Sequence, residues 1–214
     1  MMMVERASRV DFRLCLVTDR GQTGGRPLAE VVEESLEAGL RAVQLREKDL
    51  PDAEFLPLAR SLREITRRHG ARLFINSRVE AALAVGADGL QRGHDALPVS
   101  VLRSRAPGLL VGASVHSVEE ARAAERDGAD FVVFGPVYDT PSKWQYGPPQ
   151  GVGALAGVVG AVSVPVFAIG GVTAERVSAV RAAGAHGVAV ISAILAAERP
   201  GDATKALLDV LGGP

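Results

Sequence analysis

Between Pro165 and Leu195 the chain reads PVFAIGGVTAERVSAVRAAGAHGVAVISAIL, and that order leaves few folds open. A short apolar run, Val166 to Ile169, breaks on Gly170-Gly171. A helical pattern follows from Thr173 to Ala183 and closes on Gly184. A second apolar run, Val188 to Ile191, ends on Ser192 just before another helix start. Strand, glycine turn, helix, strand and helix with such short connections require parallel strands and a right-handed crossover. Two glycines after one strand and a serine after the next leave bare N–H groups beside helix N-termini. Orphan donors and the helix dipole both favour an anion there. If these are strands seven and eight of a (β/α)8 barrel, a phosphate is expected in these two loops.

The upstream sequence supplies six more units of the same kind. Phe12–Val17, Ala42–Leu45, Leu73–Asn76, a run starting at Gly89-Leu90-Gln91, Leu109–Ser114 and Phe131–Val137 read as strands. Leu28–Ala38, Asp52–Arg68, Val79–Val85 and a helix running to Arg126 read as helices between them. Ser117 and Glu120 form a capping box that opens the last of these. A long loop, Tyr138 to Gly151, precedes a helix near Val152 to Val162. Eight units of about 5 strand and 11 helix residues with short loops need about 200 residues, and the chain has 214. Four helix ends, at Ala38, Val85, Asp127 and Ala183, share a glycine followed by a quick return to strand. That glycine suits a helix end needing positive φ. The recurrence at alternate units favours a TIM barrel over an open sheet, with residues 1–214 as one domain.

Charge and composition exclude several functions. A net charge of −1 argues against nucleic acid or an acidic membrane as partner. No run approaches the ~18 apolar residues of a membrane helix and no signal-peptide core is present, so the cytoplasm is the expected location. The single cysteine, Cys15, reads as a buried strand residue. A homo-oligomer is left open.

In such a barrel, function gathers at the carboxyl ends of the strands. Strand two runs on into Gln44-Leu45-Arg46-Glu47-Lys48, and alternation puts Gln44, Arg46 and Lys48 on one face. An inward ladder of that kind fits an anionic ligand; the alternative is an ion pair with a neighbouring carboxylate. Of 24 basic residues only Lys48, Lys143 and Lys205 are lysines, and the first two fall at expected mouth loops. Thr140, Ser142 and Lys143 bring hydroxyls and a cation into the loop that also holds Trp144, where a lid over substrate competes with a rigid docked loop.

The stretches VQLREKD, the strand end at Asn76, GASVHS, GPVYDTPSK, AIGGV and VAVISAI resemble, in order and over nearly the whole chain, the signatures of the thiamin phosphate synthase and thiazole tautomerase (TenI) family. The resemblance implies a (β/α)8 barrel acting in thiamin biosynthesis on a thiazole phosphate. In the synthase, a hydroxymethylpyrimidine diphosphate is joined to that thiazole with release of diphosphate. The family pattern assigns Gln44, Arg46, Lys48, Asn76, Ser114 and Lys143 to the pyrimidine diphosphate. It assigns Thr140, Ser142, Gly171, Ile191 and Ser192 to the thiazole phosphate, beside Gly170 of the same turn.

Two departures matter. The synthase pattern has Asp after the strand-three Asn, where this chain has Ser77, and a second Asp nineteen residues on, where it has Ala96. Neither replaces a Mg²⁺ carboxylate, so no metal ligand and no cofactor are expected; Mg²⁺ is implied only if the chain is an active synthase, with Asp95 one position away. The tautomerase branch needs no metal, yet its expected histidine is Pro136 here. His69 and His186 read as structural at the far face. His94, in the former metal turn, and His116, after strand five, are the acid/base candidates. The balance favours a tautomerase-like enzyme; the alternatives are a working synthase and a non-catalytic thiazole or thiamin phosphate binder.

Overall fold

The structure, a computed structural model, describes residues 10–93, 96–140 and 148–213. Its strands are β1 (Leu14–Val17), β2 (Ala42–Leu45), β3 (Arg72–Asn76), β4 (Gly89–Arg92), β5 (Leu110–Val115), β6 (Phe131–Phe134), β7 (Val166–Ile169) and β8 (Gly187–Val190). They pair in chain order, all parallel, and β1 pairs with β8 to close the barrel. The helices are α1 (Leu28–Glu37), α2 (Asp52–Arg68), α3 (Val79–Val85), α4 (Val99–Arg105), α5 (Val118–Arg126), α6 (Gly151–Val159), α7 (Ala174–Ala182), α8 (Ser192–Leu195) and α9 (Pro200–Leu211). The eightfold count read from the sequence therefore holds. Several bounds shift: β1 starts at Leu14, β5 starts and ends one residue later than expected, β6 stops at Phe134, β8 starts and ends one residue earlier, and α6 stops at Val159.

Strands covered on both sides read as continuous apolar runs, and alternation then sorts them into two cores. Leu14 and Leu16 of β1 face the helices, together with Val43, Leu45, Leu73 and Ile75. Cys15 and Val17 face the barrel axis with Ala42, Phe74, Phe131, Phe167 and Ala189. The lower end is stoppered by Phe12, Phe74, Phe131 and Phe167, whose neighbouring ring centroids lie 5.1 to 5.9 Å apart. Room for the rings comes from glycine: a side chain at Gly112 would start 2.3 Å from the Phe131 ring. Two residues further up the same inward rows the chemistry changes. Ala42 gives way to Gln44 and Phe74 to Asn76, so the floor is aromatic and the mouth polar.

The glycines at the four repeated helix ends, Gly39, Gly86, Gly128 and Gly184, all have positive φ, the conformation expected for them. The Ser117 cap forms, with its hydroxyl accepting from the Glu120 N–H at 3.1 Å. Glu120 reaches back one residue further than in a capping box, to the His116 N–H at 2.8 Å. No helix among the described residues is long and apolar enough to cross a membrane.

Candidate active site

Two adjoining cavities open at the carboxyl ends of the strands. The central one lies over the barrel axis and is lined by Gln44, Arg46, Lys48, Asn76, Ser114 and His116, among others. The second lies over β7 and β8, against Thr140, Gly171, Val172, Ser192 and Ala193. Ile169, Gly170 and Ile191 belong to both and form the shared wall.

In the central cavity, neighbouring strands tie their polar ends together in pairs. Gln44 Nε2 donates to Asn76 Oδ1 at 3.2 Å, across β2 and β3. Gln91 Nε2 donates to Ser114 Oγ at 3.1 Å, across β4 and β5. Arg46 and Lys48 line the cavity and take part in no ion pair among the described residues. Their expected outlet, a carboxylate partner, goes instead to Arg20. The intervening Glu47 points away from the cavity and is buried, receiving the Arg20 guanidinium at 3.0 Å. Arg20 also reaches Asp49 and holds that carboxyl down to about 2. The Arg46 backbone N–H donates to the buried Thr18 hydroxyl at 2.9 Å, which fixes the ladder from behind.

In the second cavity the Gly170-Gly171 turn is set by backbone geometry. Both glycines have positive φ, and a Cβ on Gly171 would meet the Asp139 carbonyl oxygen at 2.5 Å. Arg176 of α7 donates to the Gly171 carbonyl at 2.6 Å and lies over the Tyr138 ring at 4.7 Å. The N–H groups of Gly171 and Val172 donate to no backbone acceptor among the described residues, and both residues line the cavity. Orphan N–H groups beside the starts of α7 and α8 form a cradle suited to a phosphate.

His116 lines the central cavity, with Nδ1 2.6 Å from the Gly135 carbonyl oxygen. That contact makes Nδ1 the donor in the neutral ring and leaves Nε2 as the acceptor. His69 caps α2 near Glu33, and His186 contacts the Phe12 carbonyl at 3.1 Å, both structural as expected. Burial pushes the Cys15 thiol up to about 12, so it stays protonated. His94, Asp95, Ser142, Lys143 and Trp144 lie outside the described residues.

A divalent cation in this mouth would need carboxylate oxygens. Ser77 and Ala96 do share a cavity, with Glu47, Lys48 and Asn76 on its wall. Ser77 stands at φ 60 with its hydroxyl accepting from the Asn76 amide at 3.3 Å, and Glu47 is committed to Arg20. No group of three metal-capable side chains occurs among the described residues. The described donors do not fit Mg²⁺.

Three residues of the site escaped the sequence reading. Gln91 is buried at 2% exposure and sits in the same inward phase as Gln44, so alternation alone could have found it. Gln22, in the turn after β1, lines the β7–β8 cavity, and Arg20 of the same turn anchors Glu47. No local signal marks either, because each acts across the barrel mouth.

The closed parallel barrel sets the Gln44-Arg46-Lys48 ladder and the Gly171–Ser192 turns at its carboxyl-terminal face, the face on which (β/α)8 enzymes carry their active sites. Residues 14–194 match the family model described as thiamine monophosphate synthase. A protein of Geobacter sulfurreducens provisionally named a thiamine-phosphate synthase is 51% identical over 205 residues, spanning 95% of this chain and 96% of its own. The thiamine-phosphate synthase of Roseiflexus castenholzii is 43% identical over 196 residues, or 91% of this chain and 86% of that one. The solved thiamine phosphate pyrophosphorylase of Pyrococcus furiosus superposes with a TM-score of 0.88 at 38% identity, covering 97% and 98% of the two chains. The chain belongs to the thiamine monophosphate synthase family.

Proposed function

We propose that the chain is a transferase of thiamin biosynthesis that joins a hydroxymethylpyrimidine diphosphate to a thiazole phosphate. The observation that supports this most is the pair of adjoining cavities with different anion chemistry, separated only by Ile169, Gly170 and Ile191. A one-substrate isomerisation has no use for the Gln44-Arg46-Lys48 ladder. A two-substrate condensation uses both chambers.

In this reading the thiazole phosphate occupies the β7–β8 cradle and directs its ring toward the shared wall. The pyrimidine lies over Gln44, Asn76 and Ser114, with its diphosphate toward Arg46 and Lys48. A bond forms from the thiazole nitrogen to the pyrimidine methylene carbon while the carbon–oxygen bond to diphosphate breaks. The leaving diphosphate takes the electron pair, and the ladder cations stabilise it. Holding the two reactants together supplies much of the advantage, since well-oriented partners avoid most of the entropy of encounter. Incubation with both substrates, following thiamin phosphate and diphosphate together, tests the reading. Absence of both products with correctly folded protein sinks it.

A second reading has its own support in Ser77 and Ala96, which stand where the synthase pattern has the two carboxylates of its metal site. It is tautomerisation of a thiazole carboxylate phosphate, with His116 or His94 moving the proton. The lead passes from it to the synthase because the relatives compared above carry the synthase name. Turnover of the thiazole tautomer without a pyrimidine substrate, lost in His116→Gln or His94→Gln, selects this second reading.

A further inference from the structure

The opposite face of the barrel, at the amino-terminal ends of the strands, carries a basin outside the reaction mouth. Asp11, Arg41, Arg72 and Asp88 stand at the entries to β1 through β4, and Arg63 and Arg67 come from the last turns of α2. The cavity volume is about 620 Å³, inside the roughly 300–1,000 Å³ range of small-molecule sites.

Its charges are unevenly matched. Arg72 grips Asp11 with two bonds of 2.6 Å. Arg63 reaches Asp88 at 2.6 Å, and Asp88 also takes the Leu73 N–H at 2.8 Å. These two pairs are fixed walls. Among the described residues Arg41 reaches only the carbonyl oxygens of Leu40 and His69, each at 3.4 Å, and no carboxylate. Arg67 is exposed and joins no ion pair among the described residues. Four guanidinium groups against two carboxylates leave two positive charges in a concave wall, on a chain whose net charge is −1. Concave walls focus such a field, and planar guanidinium forks match tetrahedral oxyanions.

We propose that this basin binds a small phosphate-bearing anion, with Arg41 and Arg67 supplying the unmatched charge. The site lies at the other end of the strands from the reacting mouth, so its ligand is not the reactant. This does not rest on the function proposed for the mouth.

The test is an amide NMR titration of the full chain with inorganic phosphate, pyrophosphate and ATP, against sodium chloride at matched ionic strength. Saturable shifts at Gly70 and Ala71, absent with chloride, are expected. Arg41→Gln and Arg67→Gln should each weaken that binding by about tenfold, and the double variant should abolish it. Any shifts at Gly171 and Ser192 should be the same in the double variant as in the parent chain, which separates this basin from the mouth, and an unchanged melting temperature shows that it is folded. Tighter binding of ATP or pyrophosphate than of phosphate assigns the ligand to a larger metabolite; equal or weaker binding assigns it to free phosphate. Shifts that chloride reproduces, that never saturate, or that survive in the double variant overturn the proposal.

Discussion

Arg20 and Glu47, 27 residues apart in the chain, are latched by three bonds: the guanidinium at 3.0 Å and the Arg20 backbone N–H to both carboxylate oxygens at 3.2 and 3.3 Å. Glu47 lies between Arg46 and Lys48 in sequence and outside the central cavity that they line, so fixing it braces the backbone that carries the two cations. The same turn carries Gln22 to the β7–β8 cavity. One latch therefore registers the walls of both chambers.

Removing the latch should separate position from chemistry. Glu47→Gln should raise the KM for the diphosphate-bearing substrate while leaving kcat nearly unchanged, because the ladder loosens without losing a contact to substrate. Glu47→Ala leaves the Arg20 N–H without its acceptor and should lower the unfolding free energy by about 1–3 kcal/mol in urea titrations. Identical kinetics and stability in both variants would show that the latch positions nothing.

The metal question has a gain-of-function answer. Ser77 and Ala96 line one cavity, and Ser77 already stands at positive φ, a conformation that Asp tolerates. The double variant Ser77→Asp with Ala96→Asp should acquire Mg²⁺-dependent synthase turnover, increased by up to roughly a thousandfold if leaving-group stabilisation limits the rate. Rates indifferent to Mg²⁺ in both proteins would mean that the ladder alone carries the leaving charge.

For the phosphate cradle, Ser192 is a usable probe and Gly171 is not. Gly171→Val is unsuitable because its Cβ would clash with the Asp139 carbonyl in a backbone conformation at φ 60; it should unfold or distort the turn. Ser192→Ala removes one hydroxyl and should weaken thiazole phosphate binding about threefold to tenfold by calorimetry. Unchanged affinity would remove Ser192 from the cradle.

Stability should fall on mild acidification. His186 is held below its ordinary value of 6.5, chiefly by burial, with Arg13 and Arg181 adding to the effect. A histidine depressed in the native state binds fewer protons folded than unfolded, so its contribution is present above 6.5 and is lost as pH falls through that range. Asp11, lowered mainly by its bond to Arg72, loses its contribution only below 3.8. Urea midpoints should drop between about pH 7.5 and pH 5.5, and His186→Gln should flatten that slope. A slope unchanged in the variant assigns the effect to another group.

The barrel was legible because its signals are local. Glycine at helix ends, two-sided apolar strands and the Gly170-Gly171 break each follow from backbone rules within a few residues. The ladder of Gln44, Arg46 and Lys48 was legible by alternation, and the structure places all three in one cavity. What stayed hidden was set by closure of the barrel. Only when β1 meets β8 does the Arg20–Gln22 turn reach both cavities, and only when β4 lies beside β5 does Gln91 find Ser114. The choice between synthase and tautomerase was drawn from two missing carboxylates. The match over residues 14–194 bears out the family, and the relatives that carry the synthase name favour that alternative within it.

The aromatic stopper below the mouth has a consequence for access. Phe12, Phe74, Phe131 and Phe167 fill the lower end of the axis. Both cavities sit above that plug, so whatever enters either of them arrives and departs by the same face.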